Sequence, residues 1–209
     1  MEEIILFPTL VMKEDLPGFL PALRTVAKRY LDKIAEDRKM DEIYPLVQTW
    51  SFHNEPEVVE FNQSILKKVW DILLKQGYDM TGLGVTIQAM WFQDHHKLSS
   101  MERHTHPAPT QLVGFYFIDV PEEKTPWLVL DDPRPGKVQS EPYQRHSNTL
   151  QVASQRVSFR PKEGELFLTP AWLSHGITRN GSDKPFLLAH INVMLIPMPQ
   201  QPAQQPKIL

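Results

Sequence analysis

The chain contains no cysteine among its 209 residues. This absence excludes disulfide bonds, thiolate ligands to a metal and a cysteine nucleophile. Any metal that the chain binds must therefore be held by histidine, aspartate or glutamate side chains. The sequence offers eight histidines for such a role.

Long apolar runs and basic clusters are also absent. No run approaches the roughly 20 apolar residues that a membrane-spanning helix needs, and the acidic start MEE is unlike a secretory signal. Lysine and arginine do not gather into a stripe, and the formal net charge is −3, so nucleic acid is not an expected partner. We therefore expect a cytoplasmic protein without membrane or nucleic-acid partners.

The first third of the chain has a helical pattern. Its apolar residues recur at spacings of three and four, which predicts two helices as a buttress between about residues 15 and 77. The first helix has an apolar stripe over residues 19–34. The second is bounded by Asn54 as its predicted N-cap and by Gly77 just beyond its end.

The chain changes to short apolar or alternating runs from about residue 84. Many short strands at this spacing predict a sandwich or barrel over residues 84–197, with the two helices against one face. The runs are VTIQAMWF, LVGFYFIDV, WLVL, LQVASQRVSF, ELFLT, HGIT and FLLAHINVMLI. We expect one domain over residues 1–197, because 41% hydrophobic content suffices for one sizeable core. The Pro/Gln-rich tail, residues 198–209, is predicted to be disordered.

The segment RHTHPAP places His104 and His106 two residues apart. Side chains at i and i+2 of an extended segment point to the same side, so both imidazoles can reach one ion. The segment GELFLTPAWLSHGITRNG brings His175 from a turn into a strand. Two such ligands and a third from a distant strand form a facial triad that leaves one face of an iron ion open. A solvated loop with His175 capping a turn fits the spacing equally well.

Longer segments around these histidines resemble a family of 2-oxoglutarate/Fe(II)-dependent oxygenases. The resemblance implies a mainly β fold, namely a double-stranded β-helix of the jelly-roll or cupin-like type flanked by the two helices. It also implies Fe(II), with 2-oxoglutarate and dioxygen as cosubstrates, and His104, His106 and His175 as the metal ligands. The implied reaction is the oxidation of a C–H bond in a small-molecule, amino-acid or peptide substrate. The segments are IQAMWFQDHHKLSSMERHTHP, RHTHPAPTQLVGFYFIDVPEE, LDDPRPG and EGELFLTPAWLSHGITRNGSDKPFLLAHINV.

Two positions depart from the family pattern. His106 stands where most enzymes of the wider superfamily have an aspartate or glutamate, so the site carries less negative charge. Phe186 stands where the family's arginine would pair with the distal carboxylate of 2-oxoglutarate. The candidates to replace this arginine are Tyr116, Lys184, Arg179 and Arg134.

Other side chains are candidates to contact substrate or to line the pocket. These are Trp91, Trp172, His190 and Asn192. His190 alternates with apolar residues in FLLAHINVML, which fits either the barrel interior or a hydrogen-bonded core histidine. Asp131 and Asp132 in LDDPRPG are predicted to open a turn rather than to bind metal.

Two alternatives to a 2-oxoglutarate-dependent oxygenase stay open at this point. The first is a three-histidine cupin-type dioxygenase that needs no 2-oxoglutarate, which the phenylalanine at position 186 favours. The second is a non-catalytic β-barrel that serves as a binding protein, because one fold hosts many functions. The apolar faces would also allow a homodimer.

Overall fold

The computed structural model describes residues 1–37, 41, 43–140, 142, 144–146 and 149–199. The predicted disorder of the tail from residue 200 onward lies outside these residues. Among the described residues, no helix has the length and apolarity that crossing a membrane requires.

The described residues form three α-helices and ten strands. The helices are α1 (Leu20–Asp37), α2 (Val59–Lys75) and α3 (Pro135–Ser140). The strands are β1 (Met12–Asp15), β2 (Leu46–Gln48), β3 (Leu83–His95), β4 (Met101–His104), β5 (Thr110–Asp119), β6 (Leu128–Asp131), β7 (Arg156–Phe159), β8 (Glu165–Pro170), β9 (His175–Ile177) and β10 (Phe186–Pro197).

The strands form two antiparallel sheets. The six-stranded sheet has the order β1-β8-β5-β10-β3-β2, and the four-stranded sheet has the order β4-β9-β6-β7. Long-range pairs such as β10 with β3 and β5 join strands that lie far apart in the sequence. The helices α1 and α2 pack on the outer face of the larger sheet.

Alternate residues of the central strands serve two separate cores. On β5, Leu112, Tyr116 and Ile118 pack toward the helices, whereas Phe115 and Phe117 lie between the two sheets. This division follows from the strand period, because successive side chains point to opposite faces. The position of a residue in this alternation, which we call its parity, therefore decides on β5 and β10 whether its side chain can reach the space between the sheets.

Both predicted long helices are confirmed, with one difference at the second. The chain enters α2 through a 3₁₀ turn, Pro56–Val58, and no side chain caps either element. The prediction of Asn54 as the N-cap is therefore wrong, because the proline-led turn begins the helix instead. Gly77 does lie beyond the end, with a φ of 88° that favours glycine.

Every predicted apolar run contains a strand, although LQVASQRVSF pairs only over its last four residues. Three strands were not predicted: β1, β2 and β4. They are three or four residues long, which is too short to show the apolar alternation that marks a strand. β4 is the important omission, since it ends at His104.

Candidate metal centre

Four histidines from separate parts of the chain come together between the two sheets. His104, His106, His175 and His190 each offer one ring nitrogen, and these atoms all lie within 4.8 Å of one another. His175 and His190 are buried, and His104 and His106 are half-buried. The structure thus brings together the three predicted ligands and adds His190 to them.

Strand pairing brings the first three rings together. His104 at the end of β4 is the cross-strand partner of His175 at the start of β9, and their ring centroids are 4.5 Å apart. His106 follows in the loop, where its backbone N–H donates to the carbonyl oxygen of Ala171 at 2.9 Å. Its ring stacks on His175 at 5.2 Å. The backbone therefore fixes all three positions without any contribution from a metal.

Two of the rings are held in one tautomer. The Nδ1 of His104 lies 2.8 Å from the carbonyl oxygen of Glu102, and the Nδ1 of His175 lies 2.8 Å from that of Leu173. A carbonyl oxygen only accepts hydrogen bonds, so each Nδ1 carries the proton and each Nε2 keeps its lone pair. Such a backbone bond is the usual outer-shell support of a metal-binding histidine.

Three rings of the cluster are neutral at neutral pH. Burial lowers the pKa of His106 and of His175 to about 4, and repulsion from the neighbouring rings acts in the same direction. Burial also lowers the pKa of His190 well below its ordinary value. Metal ions bind the neutral imidazole, so these side chains need lose no proton at pH 7.

Several of the ring nitrogens lack any partner. The Nε2 atoms of His106 and His175 and both nitrogens of His190 are buried without a hydrogen bond to the described residues. Buried polar atoms are nearly always satisfied, and an unsatisfied cluster of them calls for an explanation. A metal ion at this point would satisfy three rings or four at once. The donor set therefore fits a divalent transition metal such as iron, for which imidazole is a suitable ligand.

Gly176 allows the strands that carry His104 and His175 to approach. A Cβ at this position would lie 2.7 Å from the carbonyl oxygen of Met101 and 3.3 Å from the backbone nitrogen of Arg103. We expect Gly176→Ala to force β4 from β9, to lower the free energy of unfolding by about 1–3 kcal/mol, and to weaken metal binding. Denaturant unfolding and anaerobic Fe(II) titration measure the two effects.

Gly136 provides the matched control for this prediction. A Cβ there meets nothing within 4 Å, so Gly136→Ala should leave metal binding unchanged. If both alanine variants bind Fe(II) equally well, then the close approach at Gly176 does not matter to the site.

The four candidates to replace the missing arginine lie away from the histidine cluster. The Tyr116 hydroxyl donates to the carbonyl oxygen of Leu16 at 2.7 Å, on the helix side of the sheet. Arg179 and Lys184 are exposed. Arg134 is exposed and binds both carboxylate oxygens of Asp132, at 2.9 and 2.7 Å. The structure thus brings none of these four side chains to the site.

Phe186, which stands at the family's arginine position, lies between the sheets. It is fully buried, 5.6 Å from the ring of Phe117 and 5.8 Å from that of His95. Leu188, two residues further along β10, is fully buried in the same apolar cluster. Gln93, which is adjacent to Leu188 on β3, is buried as well. His95 is neutral at neutral pH, since burial lowers its pKa to about 4. Lys13 contacts the same apolar cluster, with its Nζ 5.6 Å from the ring centroid of Phe167 and 2.6 Å from a carboxylate oxygen of Glu165.

The two aspartates of LDDPRPG have the structural role that the sequence predicts. Asp131 forms ion pairs with Arg103 at 2.8 Å and with Arg156 at 2.7 Å. Asp132 accepts a hydrogen bond from the backbone N–H of Arg134 at 3.0 Å, which closes a turn. Neither carboxylate belongs to the group of side chains that can share one ion.

The remaining candidates differ in their distance from the cluster. Trp91 stacks on His190 with ring centroids 4.3 Å apart, whereas Trp172 is 52% exposed. Asn192 lies two residues beyond His190, and its Oδ1 is buried without a partner. The sequence analysis missed Thr169, whose Oγ1 is also buried without a partner. Thr169 lies two residues after Phe167 in ELFLT, so both side chains point to the same face of the strand, and Phe167 faces the space between the sheets. This spacing was the signal in the sequence that Thr169 faces the site.

A groove of about 690 Å³ reaches the cluster at His106. One wall is the segment from Phe7 to Met12, another is the end of α2 with Tyr78, and Trp172 lies at its rim. None of the described residues that line it is aspartate, glutamate, lysine or arginine. The groove is therefore neutral and largely apolar.

Comparison with known protein families gives one match. Residues 89–187 match the family model described as "Putative 2OG-Fe(II) oxygenase". This region runs from β3 to the start of β10 and contains His104, His106 and His175. No curated protein sequence matches the chain.

Solved structures with the same fold are more numerous. The epimerase SnoN from nogalamycin biosynthesis, described as non-heme and alpha ketoglutarate dependent, is 13% identical with a TM-score of 0.60 over 96% of this chain and 86% of its own. A Pseudomonas putida prolyl-4-hydroxylase is 10% identical, with a TM-score of 0.59 over 89% and 92%. HygX from Streptomyces hygroscopicus, solved with nickel and 2-oxoglutarate, is 12% identical, with a TM-score of 0.58 over 89% and 83%. These likenesses confirm the predicted double-stranded β-helix with flanking helices.

Proposed function

We infer that this chain, whose residues 89–187 belong to the 2OG-Fe(II) oxygenase family, is a mononuclear non-haem Fe(II) enzyme. The proposed reaction consumes dioxygen and 2-oxoglutarate and oxidises a C–H bond of a neutral, largely apolar small molecule. The observation that carries this proposal is the convergence of His104, His106 and His175, together with the Nε2 atoms of His106 and His175, which are buried without a hydrogen bond to the described residues.

The protein's own contribution is to hold neutral ligands in place. The carbonyl oxygens of Glu102 and Leu173 orient two of the imidazoles, and burial keeps His106 and His175 neutral. Bound Fe(II) would supply the redox chemistry, as it does throughout such enzymes. Phe115 packs against His175 at 5.1 Å and contributes to the exclusion of water from the ligands.

The site fits iron better than it fits the distal carboxylate of 2-oxoglutarate. Phe186, Leu188 and Phe117 form an apolar surface where a guanidinium would be expected, and Gln93 and His95 are neutral. This observation favours a second candidate, an iron dioxygenase that needs no 2-oxoglutarate. It also means that 2-oxoglutarate, if it is used, has no arginine at position 186 to pair with its distal carboxylate.

The groove beside His106 indicates the class of substrate. Its walls offer apolar and aromatic surface together with a few amide groups, which suits a neutral ligand whose orientation depends on a small number of polar contacts. A charged metabolite or an acidic or basic peptide would find no ion pair in it. We therefore propose an uncharged small molecule rather than a charged peptide as the substrate.

Oxygen uptake and product analysis test the proposed function. Purified protein is loaded anaerobically with Fe(II), and oxygen uptake is then followed with and without 2-oxoglutarate, together with succinate release. Succinate that forms only when His175 is intact supports the proposal. Iron binding with substrate-dependent oxygen uptake but no succinate would favour the second candidate. Failure to bind Fe(II) would leave the non-catalytic barrel.

Phe186→Arg is expected to strengthen 2-oxoglutarate binding by about 10-fold to 100-fold, because a charge-assisted pair contributes about 1.5–3 kcal/mol. The comparison ligand is 2-oxobutyrate, which has no distal carboxylate and should gain nothing. Anaerobic titration of the Fe(II)-loaded protein measures both affinities. Equal affinity of wild type and variant for 2-oxoglutarate would contradict the assignment of this position to the distal carboxylate.

Three further expectations stay predictions: the cytoplasmic location, the absence of nucleic-acid binding, and dimer formation through the apolar faces. Light scattering at several protein concentrations tests the last of these.

A further inference from the structure

We propose that His190 is a fourth ligand of the metal, in addition to His104, His106 and His175. The proposal deepens the proposed function, since it rests on the same metal site. His190 can join the site with only a small movement, because its ring nitrogen lies within 4.8 Å of those of the other three histidines. Imidazoles bound at about 2.1 Å to one ion place their nitrogens about 3–4 Å apart, so a small contraction closes the site.

The position of His190 on β10 supports this role. It is the cross-strand partner of Phe115 on β5 and of Trp91 on β3. Its ring lies flat against the indole of Trp91, at 4.3 Å and 13°, and edge-on to Phe115 at 4.9 Å. On the remaining side its ring centroid is 5.1 Å from that of His106. Two aromatic rings therefore set the plane of His190, and its ring stacks beside that of His106 at an interplanar angle of 28°.

The hydrogen-bond pattern of His190 is that of a ligand rather than of a core histidine. The side chain is 1% exposed, and neither ring nitrogen has a partner among the described residues. A core histidine usually satisfies at least one nitrogen with a backbone carbonyl or a side chain. Because both aromatic neighbours present carbon to the ring, a metal ion is the partner that the geometry offers.

His95 provides a matched control within the same interior. It is 0% exposed, and both of its ring nitrogens also lack a partner. It lies four residues from Trp91 on the same face of β3, beside Phe186, and it is not part of the histidine group. Burial and missing hydrogen bonds are therefore common to both histidines, and only proximity to the other imidazoles distinguishes His190.

A fourth imidazole changes what the metal can bind. Three facial ligands leave three positions of an octahedral ion open, whereas four ligands leave two. Four histidine ligands would therefore favour the second candidate function, the iron dioxygenase that needs no 2-oxoglutarate at the metal beside dioxygen. Together with the apolar surface at Phe186, a fourth ligand limits the binding of 2-oxoglutarate more than the family pattern does.

The experiment counts imidazoles and compares two His→Phe variants. Phenylalanine preserves stacking on Trp91 in His190→Phe and packing on Phe186 in His95→Phe. Each protein is loaded anaerobically with Fe(II), the affinity is measured by competition with a chelator, and X-ray absorption gives the number of bound imidazoles. We expect four imidazoles in wild type and in His95→Phe, three in His190→Phe, and at least a tenfold loss of affinity in His190→Phe alone.

Several results would overturn the proposal. Three imidazoles in wild type, or equal affinities in the two variants, remove His190 from the coordination sphere. His190→Gln, which keeps a polar side chain, repeats the comparison if His190→Phe does not fold by circular dichroism. Wild-type protein that binds no Fe(II) at all would instead defeat the proposed function, so the two failures are distinguishable.

Discussion

His175→Ala is expected to lower Fe(II) affinity by at least about 100-fold and to abolish oxygenase activity. Loss of a hydrogen bond to a ligand typically costs 10-fold to 100-fold in metal affinity, and loss of the ligand itself costs more. His175 contacts the other two predicted ligands, with ring centroids 4.5 Å from His104 and 5.2 Å from His106. Its Nδ1 bond to Leu173 also orients its lone pair in advance.

Anaerobic titration with Fe(II), followed by metal analysis of the desalted protein, measures this loss. His53→Ala is the control, because His53 lies outside the cluster and its Nδ1 is paired with Ser51 at 2.7 Å. It should bind Fe(II) like wild type. If His175→Ala retains metal at the wild-type affinity, the ion binds elsewhere and the histidine cluster is not its site.

Acidification is expected to destabilise the protein through His95 by about 3 kcal/mol. Burial lowers the pKa of His95 to about 4, while the same group in the unfolded chain has its ordinary value of 6.5. Between these values the unfolded chain binds more protons than the folded one, so the free energy of unfolding falls as the pH decreases. The full contribution is present above pH 6.5, and the loss is complete below about pH 4.

The neighbouring His96 acts in the opposite direction. Its Nε2 lies 3.0 Å from Asp94, and this hydrogen bond raises the pKa of His96, so its contribution is present at low pH and declines as the pH rises. Denaturant unfolding of wild type and of His95→Phe at several pH values between 7.5 and 4 isolates the first effect. The variant should lose less stability on acidification than wild type. Parallel curves for the two proteins would show that His95 is not buried as a neutral imidazole.

Strand parity explains which site residues could be predicted from the sequence. His104 and His106 could be predicted as a pair of ligands, because residues i and i+2 share one side of any extended segment. Tyr116 was assigned to the site wrongly, because LVGFYFIDV is apolar at both parities and its sequence does not reveal which face looks inward. In the structure Phe115 and Phe117 face the space between the sheets, and Tyr116 faces the helices.

Long-range pairing explains what the sequence left open. His190 could be a core residue or a site residue, and only the register of β10 against β3 and β5 places it beside Trp91 and His106. The short polar strand β4 was also missed, because its place in the sheet depends on pairing with β9 rather than on its own residues. The apolar periodicities of α1 and α2, by contrast, are local and were sufficient to predict both helices.

Part of the groove wall lies outside the region of the chain that holds the metal ligands. Phe7, Leu10 and Tyr78 precede the region that matches the family model, whereas the proposed ligands and other groove residues such as Trp172 lie inside it. Substitutions at Phe7, Leu10 and Tyr78 therefore leave the residues of β4, β9 and β10 unchanged. Because of this separation, substitutions in the N-terminal part of the groove can change the choice of substrate without changing the metal ligands.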